Sequence, residues 1–207
     1  MYKKYYIGEQ EHNHNRGAAF DVPGGQGRRQ PLPLQNEDMQ HIEFLSYPQS
    51  EQQPDVLWGI RIDGTDLRVH VADATRELWR KERVARNPAE EERFLLLQHD
   101  GLLDWQIEDA GRHFLGTPIP AFAWSLPGST AVLGCSCGEW GCWPLRTVIT
   151  ATPETVTWSS FRQPFRDEWG ELPMGPYVFA RPAYDAALAE PVRCAEDPLV
   201  LPGETAR

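Results

Sequence analysis

Three cysteines stand within eight residues, at Cys135, Cys137 and Cys142, in the run Gly134-Cys135-Ser136-Cys137-Gly138-Glu139-Trp140-Gly141-Cys142-Trp143. Such density calls for a chemical reason. Thiolates are soft ligands suited to zinc, and glycines let backbone N–H groups turn toward sulfur, so the run reads as a candidate metal knuckle with a fourth ligand supplied from elsewhere. The spacing is C-x-C-x4-C rather than the paired C-x2-C of zinc ribbons, no second pair follows, and Cys194 lies far along the chain. Two other readings stay open beside zinc. Small cysteines can pack beneath Trp140 and Trp143 in a tight connection between strands, and a Cys137–Cys142 pair near backbone amides can act as a redox dithiol.

Other constellations are thinner. His70, the His99-Asp100 pair and Asp104 or Asp109 follow the ligand order of HD-type phosphohydrolases. Those enzymes are all-helical, whereas the pattern here places His70 in a strand and Asp100 in a turn before Gly101. His113, near an expected helix end, reads as a dipole partner or a satisfied core histidine. The chain has no nucleophile elbow, no H-E-x-x-H, no P-loop and no dinucleotide-binding glycine fingerprint. The acid pairs Glu91-Glu92 and Glu108-Asp109 lie on expected solvated helix faces. Of the eight tryptophans, Trp140, Trp143 and Trp158 cluster around the cysteines in sequence. They suit a ligand cleft or a partner surface, while the alternation of Trp158 with Val156 marks Trp158 as core.

The segment Leu133-Gly134-Cys135-Ser136-Cys137-Gly138-Glu139-Trp140-Gly141-Cys142-Trp143-Pro144-Leu145 resembles the L-G-C-x-C-G-x-x-G-C-W-P-L signature of a bacterial protein family without an established activity. The similarity extends through His113 to Gly116, Val156 to Phe161, Gln163-Pro164 and Gly175 to Phe179, about the second half of the chain. It implies no catalytic residue and no cofactor.

These residues need a scaffold, and the rest of the chain indicates one. With 207 residues, 41% hydrophobic and 24% charged, the chain can form one ordinary core without relying on metal or disulfides. Residues 1–55 read as an N-terminal arm carrying one short strand at 42–45, residues 56–191 as the folded domain, and 192–207 as a polar tail. From Val56 to Ile62 the alternation predicts a strand, Asp63-Gly64 a turn, and Leu67, Val69 and Val71 a second hairpin strand. Helices are expected over 75–86, from Asn87-Pro88 to about Asp100, over 104–115 with Asp104 as cap, and over 183–190. Strands are expected at 130–135, 145–152, 155–161 and 176–180, antiparallel through short connections. The expectation is an α+β fold: a single antiparallel sheet with two to four helices packed on it and the cysteine loop between two strands.

Thirty acidic against twenty basic residues give a net charge of −10, which disfavours nucleic acid and anionic lipid and favours a basic protein partner. The first residues carry Lys3 and Lys4 without an apolar run, and no stretch is apolar over the ~18 residues a membrane span requires, so a cytoplasmic protein is expected. A non-enzymatic protein-interaction module, its cysteine loop a site for structural zinc, is the leading expectation. A metal- or thiol-dependent enzyme using Cys135, Cys137 and Cys142 is one alternative, and an acidic immunity- or antitoxin-like protein another.

Overall fold

The computed structural model describes residues 39–49, 55–83, 85, 87–117, 128–139 and 141–199. Trp140 and most of the expected arm lie outside them, and all of them fall within one compact unit, residues 34–207.

The strand expected at 42–45 runs as β1 over Ile42–Pro48 and pairs antiparallel with β2, Val56–Ile62, from Ile42 opposite Ile62 to Pro48 opposite Val56. Phe44 and Leu45 are fully buried, so the packed residues begin ahead of Val56. Asp63 and Gly64 both have positive φ, 51° and 77°, the backbone a two-residue hairpin turn demands, and Asp63 Oδ1 accepts from the N–H of His41.

The second hairpin strand is only Thr65–Asp66, β3. The expected run through Leu67, Val69 and Val71 is helix instead: α1 spans Leu67–Glu82 and absorbs the start of the helix expected at 75. The β-branched valines mislead. Asp66 caps the helix by accepting from the N–H of Arg68 at 2.9 Å, and Leu67, Val71 and Thr75, four residues apart, share its buried face. Helix α2, Pro88–Leu96, begins as expected, with Asn87 Oδ1 accepting from Glu90 N at 2.9 Å and Pro88 at the first position.

The chain then changes sheets within five residues. His99–Asp100, β4, pairs with β6, Thr130–Cys135, while Leu102–Leu103, β5, pairs with β2. The described residues therefore form two sheets rather than one. The first holds β1, β2, β3 and β5 with β10, Val192–Arg193, parallel to β1; the second runs in the order β4, β6, β7 (Leu145–Ala151), β8 (Thr155–Arg162) and β9 (Tyr177–Ala180). Gly101 is the crossing point. A Cβ there would stand 2.7 Å from the carbonyl oxygen of Trp58 and 2.8 Å from the hydroxyl of Tyr47, so only glycine lets the sheets approach.

The helix expected over 104–115 is two single turns, α3 (Asp104–Ile107) and α4 (Ala110–His113), broken at Glu108, whose φ is 56°. Asp109 restarts it by accepting from Arg112 N at 3.0 Å. Asp104 is not a cap; its carboxylate takes the Trp58 indole N–H at 2.6 Å. The split brings the α-helices among the described residues to five, the last being α5, Arg181–Ala189.

One core joins both sheets, with Phe44, Ile60 and Ile62 of the first against Leu133, Leu145, Val156, Trp158 and Phe179 of the second. Tyr184 of α5 ties its polar edge: the hydroxyl accepts from the Trp158 indole at 3.2 Å and donates to the carbonyl of Phe114 at 2.5 Å. Burying each such ring contributes about 1.5–3 kcal/mol, and pairing the N–H and O–H keeps that gain.

The segment beyond residue 191, expected as a tail, is anchored as far as it is described. Cys194 N donates to Ser46 O, and Asp197 makes a two-pronged pair with the buried Arg68, at 2.8 and 2.7 Å. Arg68 also meets Asp66 at 2.9 Å and lies 3.7 Å from Asp100.

Candidate metal centre

Strand β6 ends at Cys135 and β7 begins at Leu145, and the connection between them folds back twice. Gly138 N donates to Cys135 O at 3.0 Å, and Cys142 N to Glu139 O at 3.0 Å, with Gly138 at a φ of 81° that its lack of a side chain permits. The two turns bring Cys135, Cys137 and Cys142 together: their sulfurs all lie within 4.8 Å of one another. A tetrahedral zinc–thiolate centre, with bonds of about 2.3 Å, requires sulfurs about 3.8 Å apart, so the triplet is a small contraction from that geometry.

Exposure separates the readings. Cys135 is half-buried, but Cys137 and Cys142 are exposed. A cysteine present only to fill space is among the most buried of residues, so converging exposed sulfurs do not fit packing beneath tryptophans. Trp143 instead joins a cluster with Trp79 and Trp169. The thiols are also unequal. Burial pushes Cys135 up to about 12, while the hydrogen bond from Cys135 and then the N–H of Glu139 hold Cys137 below its ordinary value, so Cys137 ionises ahead of Cys135.

The turn rests on groups no motif reveals. Gln106 of α3, almost fully buried, donates to Gly138 O at 3.2 Å. His99 is the register partner of Cys135 across β4 and β6, and its Nδ1 lies 3.2 Å from the carbonyl of Gly134. Since that carbonyl only accepts, Nδ1 carries the proton and Nε2 accepts from the side-chain N–H of Gln163. Both ring nitrogens are engaged, and burial lowers the imidazole to about 4. His99 is a neutral brace for the strand that ends in Cys135.

The other candidates disperse. His70 stands on α1, not in a strand, with its ring against Tyr177; Asp100 is in β4, not a turn. His113 is a buried core histidine, but satisfied at one nitrogen only: Nε2 meets the carbonyl of Ala131 at 2.7 Å and Nδ1 has no hydrogen-bond partner. Trp158 is fully buried, as its alternation implies. Cys194 does not join the thiols. Among the described residues the cysteine triplet is the one group of three or more His, Cys, Asp or Glu ligand atoms close enough to share a metal ion, and no helix there is long and apolar enough to cross a membrane.

A groove of about 460 Å³ opens beside the turn, walled by Trp79 of α1, Phe94 and Leu97 at the end of α2, and Ser136 and Trp143 of the turn itself. Its walls come from three distant stretches of sequence, so no local pattern announces it.

Comparison of the chain with protein-family models, curated proteins and solved structures gives no match in any of the three.

Proposed function

We propose that this chain is a non-enzymatic binding module in which Cys135, Cys137 and Cys142 hold a zinc ion that orders the turn between β6 and β7. The convergence of three sulfurs, two of them exposed, carries the reading. Three thiolates are a soft, anionic donor set that favours zinc over harder cations, and the neighbouring backbone amides offset part of their charge. No fourth side-chain donor joins them among the described residues, so a fourth ligand would come from water or from another part of the chain. The metal's role is structural and local: the two-sheet core has its own apolar interior, and the ion would fix the wall of the groove that includes Trp143. The net charge of −10 supports a basic protein as the partner.

Metal analysis of protein purified without chelator tests this directly. About one zinc per chain, with three thiols shielded from a thiol reagent until a chelator is added, is the expected result. Metal-free protein whose three thiols react at once refutes it.

A thiol-dependent enzyme is the second reading, favoured by the lowered Cys137 thiol. Against it, His99, the register partner of Cys135, is buried with both ring nitrogens engaged, so it offers no free base.

A further inference from the structure

Beside the thiol turn, three indole rings enclose the guanidinium of Arg166. Its Cζ lies 5.3 Å from the ring centre of Trp79, 5.2 Å from that of Trp143 and 5.4 Å from that of Trp169. The rings are set as walls, not a stack: Trp169 meets Trp79 at 87° and Trp143 at 89°. Glu82 completes the enclosure, accepting the Trp169 indole N–H at 2.8 Å and lying 3.3 Å from Arg166 Nη2. Aromatic faces plus one carboxylate attract a cation by the ring quadrupoles and by charge.

Arg166 fits this box poorly as an arginine. A guanidinium carries five N–H donors, yet the buried Nε of Arg166 has no hydrogen-bond acceptor: the carboxylate it faces, Glu168, stands 4.0 Å away, within ion-pair reach only. The preceding residue, Phe165, is exposed and has a φ of 68°, a region bulky side chains avoid, so its backbone is strained where it delivers Arg166 to the rings. A methylated ammonium would meet the same π faces and the same carboxylate while bringing no donor that needs an acceptor.

We infer that Trp79, Trp143, Trp169 and Glu82 form a binding site for a methylated ammonium group, and that Arg166 is its internal occupant, displaced when that ligand arrives. Access comes from the groove, because Trp79 and Trp143 line both. A chain can lie along Leu97, beside the Phe94 ring that Arg83 covers at 4.1 Å, while its cationic head enters the box. The inference rests on the reading of this groove as a binding surface and is independent of whether the thiols hold metal.

The test titrates the full-length chain with tetramethylammonium chloride, against sodium chloride at equal ionic strength, following tryptophan fluorescence and methyl proton line width. Saturable binding is expected in the wild type, about tenfold tighter in Arg166→Met, where the internal competitor is gone. Arg166→Lys, which keeps a cation among the rings, should fall between them and serves as the folded comparison if Arg166→Met does not fold. Two further arms use a short peptide carrying trimethyllysine and the same peptide with unmodified lysine. Tighter binding of the trimethylated peptide than of the free ion assigns the ligand to a modified side chain; equal affinity assigns it to small ammonium compounds. Equal binding of both peptides leaves the groove a binding surface and overturns the box. So does the lack of any saturable response to tetramethylammonium and the trimethylated peptide in wild type and Arg166→Lys. Zinc content measured on the same samples reports separately on the metal.

Discussion

Gln163 donates its side-chain N–H to Nε2 of His99, joining the end of β8 to the strand that lies beside Cys135, and both side chains are buried. The bond fixes His99 with its other nitrogen on Gly134, one residue before the first thiol. Replacing His99 by alanine removes both bonds, leaves the Gln163 amide unmet and opens space under the turn. A loss of about 2–4 kcal/mol is expected in urea denaturation. A loss under about 0.5 kcal/mol, the size of an ordinary surface change, would show the brace to be idle.

Acid should weaken the fold before carboxylates titrate. Burial lowers His99 and His113 to about 4, against about 6.5 in the unfolded chain. Between those values the unfolded chain takes up protons that the folded one refuses. The stabilisation is therefore complete above about pH 6.5 and declines as pH falls toward 4, by about 3 kcal/mol per histidine. Asp100, raised by burial, works in the opposite sense, one group against two. The urea midpoint should drop between pH 7.5 and 4.5; a flat profile contradicts the assignment.

At the crossing between sheets, Gly101→Ala places a Cβ 2.7 Å from backbone oxygen, which cannot yield as a flexible side chain would. The expected destabilisation is about 2 kcal/mol or more. Gly64→Ala, in open space but at a φ of 77°, should lose only about 1 kcal/mol. Thermal melts of the two variants compare steric with conformational strain, and a reversed order would undo the account of Gly101.

Asp197→Ala removes the two-pronged partner of Arg68 but leaves Asp66 in place. Because Asp197 is partly exposed, about 1 kcal/mol of global stability is expected to go. The larger effect is local, since residues after Pro191 lose a main anchor. Limited proteolysis should clip the variant there first, and unchanged resistance would mean that the β10 pairing alone holds the segment.

Serine at Cys135, Cys137 or Cys142 should each lower zinc content from about one per chain toward none, whereas Cys194→Ser should leave it unchanged. Retention of zinc in all three single variants would place the metal elsewhere.

Much of the second sheet was legible in the residues. Val156 and Trp158 alternate along β8, β-branched and aromatic residues run through β6 to β9, and their short connections leave antiparallel pairing as the simple solution. The start of α2 was equally plain, because Asn87-Pro88 carries both cap and first-turn chemistry. Helix α1 was misread at its beginning: Val69 and Val71 favour strand by side-chain type, and the four-residue spacing of Leu67, Val71 and Thr75 competes with that preference. The second sheet's edge escaped because His99–Asp100 and Leu102–Leu103 are too short to show a period. The thiols were found because they lie close in sequence. Trp79, Trp143 and Arg166 were not found as a group, since only the fold brings α1, the turn and the segment after β8 together.

Cys142 and Trp143 are adjacent, and Cys135 is the last residue of its strand. A metal held by the three sulfurs would therefore work as a clasp on the hairpin, setting where one aromatic wall stands before any visitor reaches it. Loosening that clasp, by oxidation or by a stronger chelator, would change the shape offered to a partner while leaving the body of the fold intact.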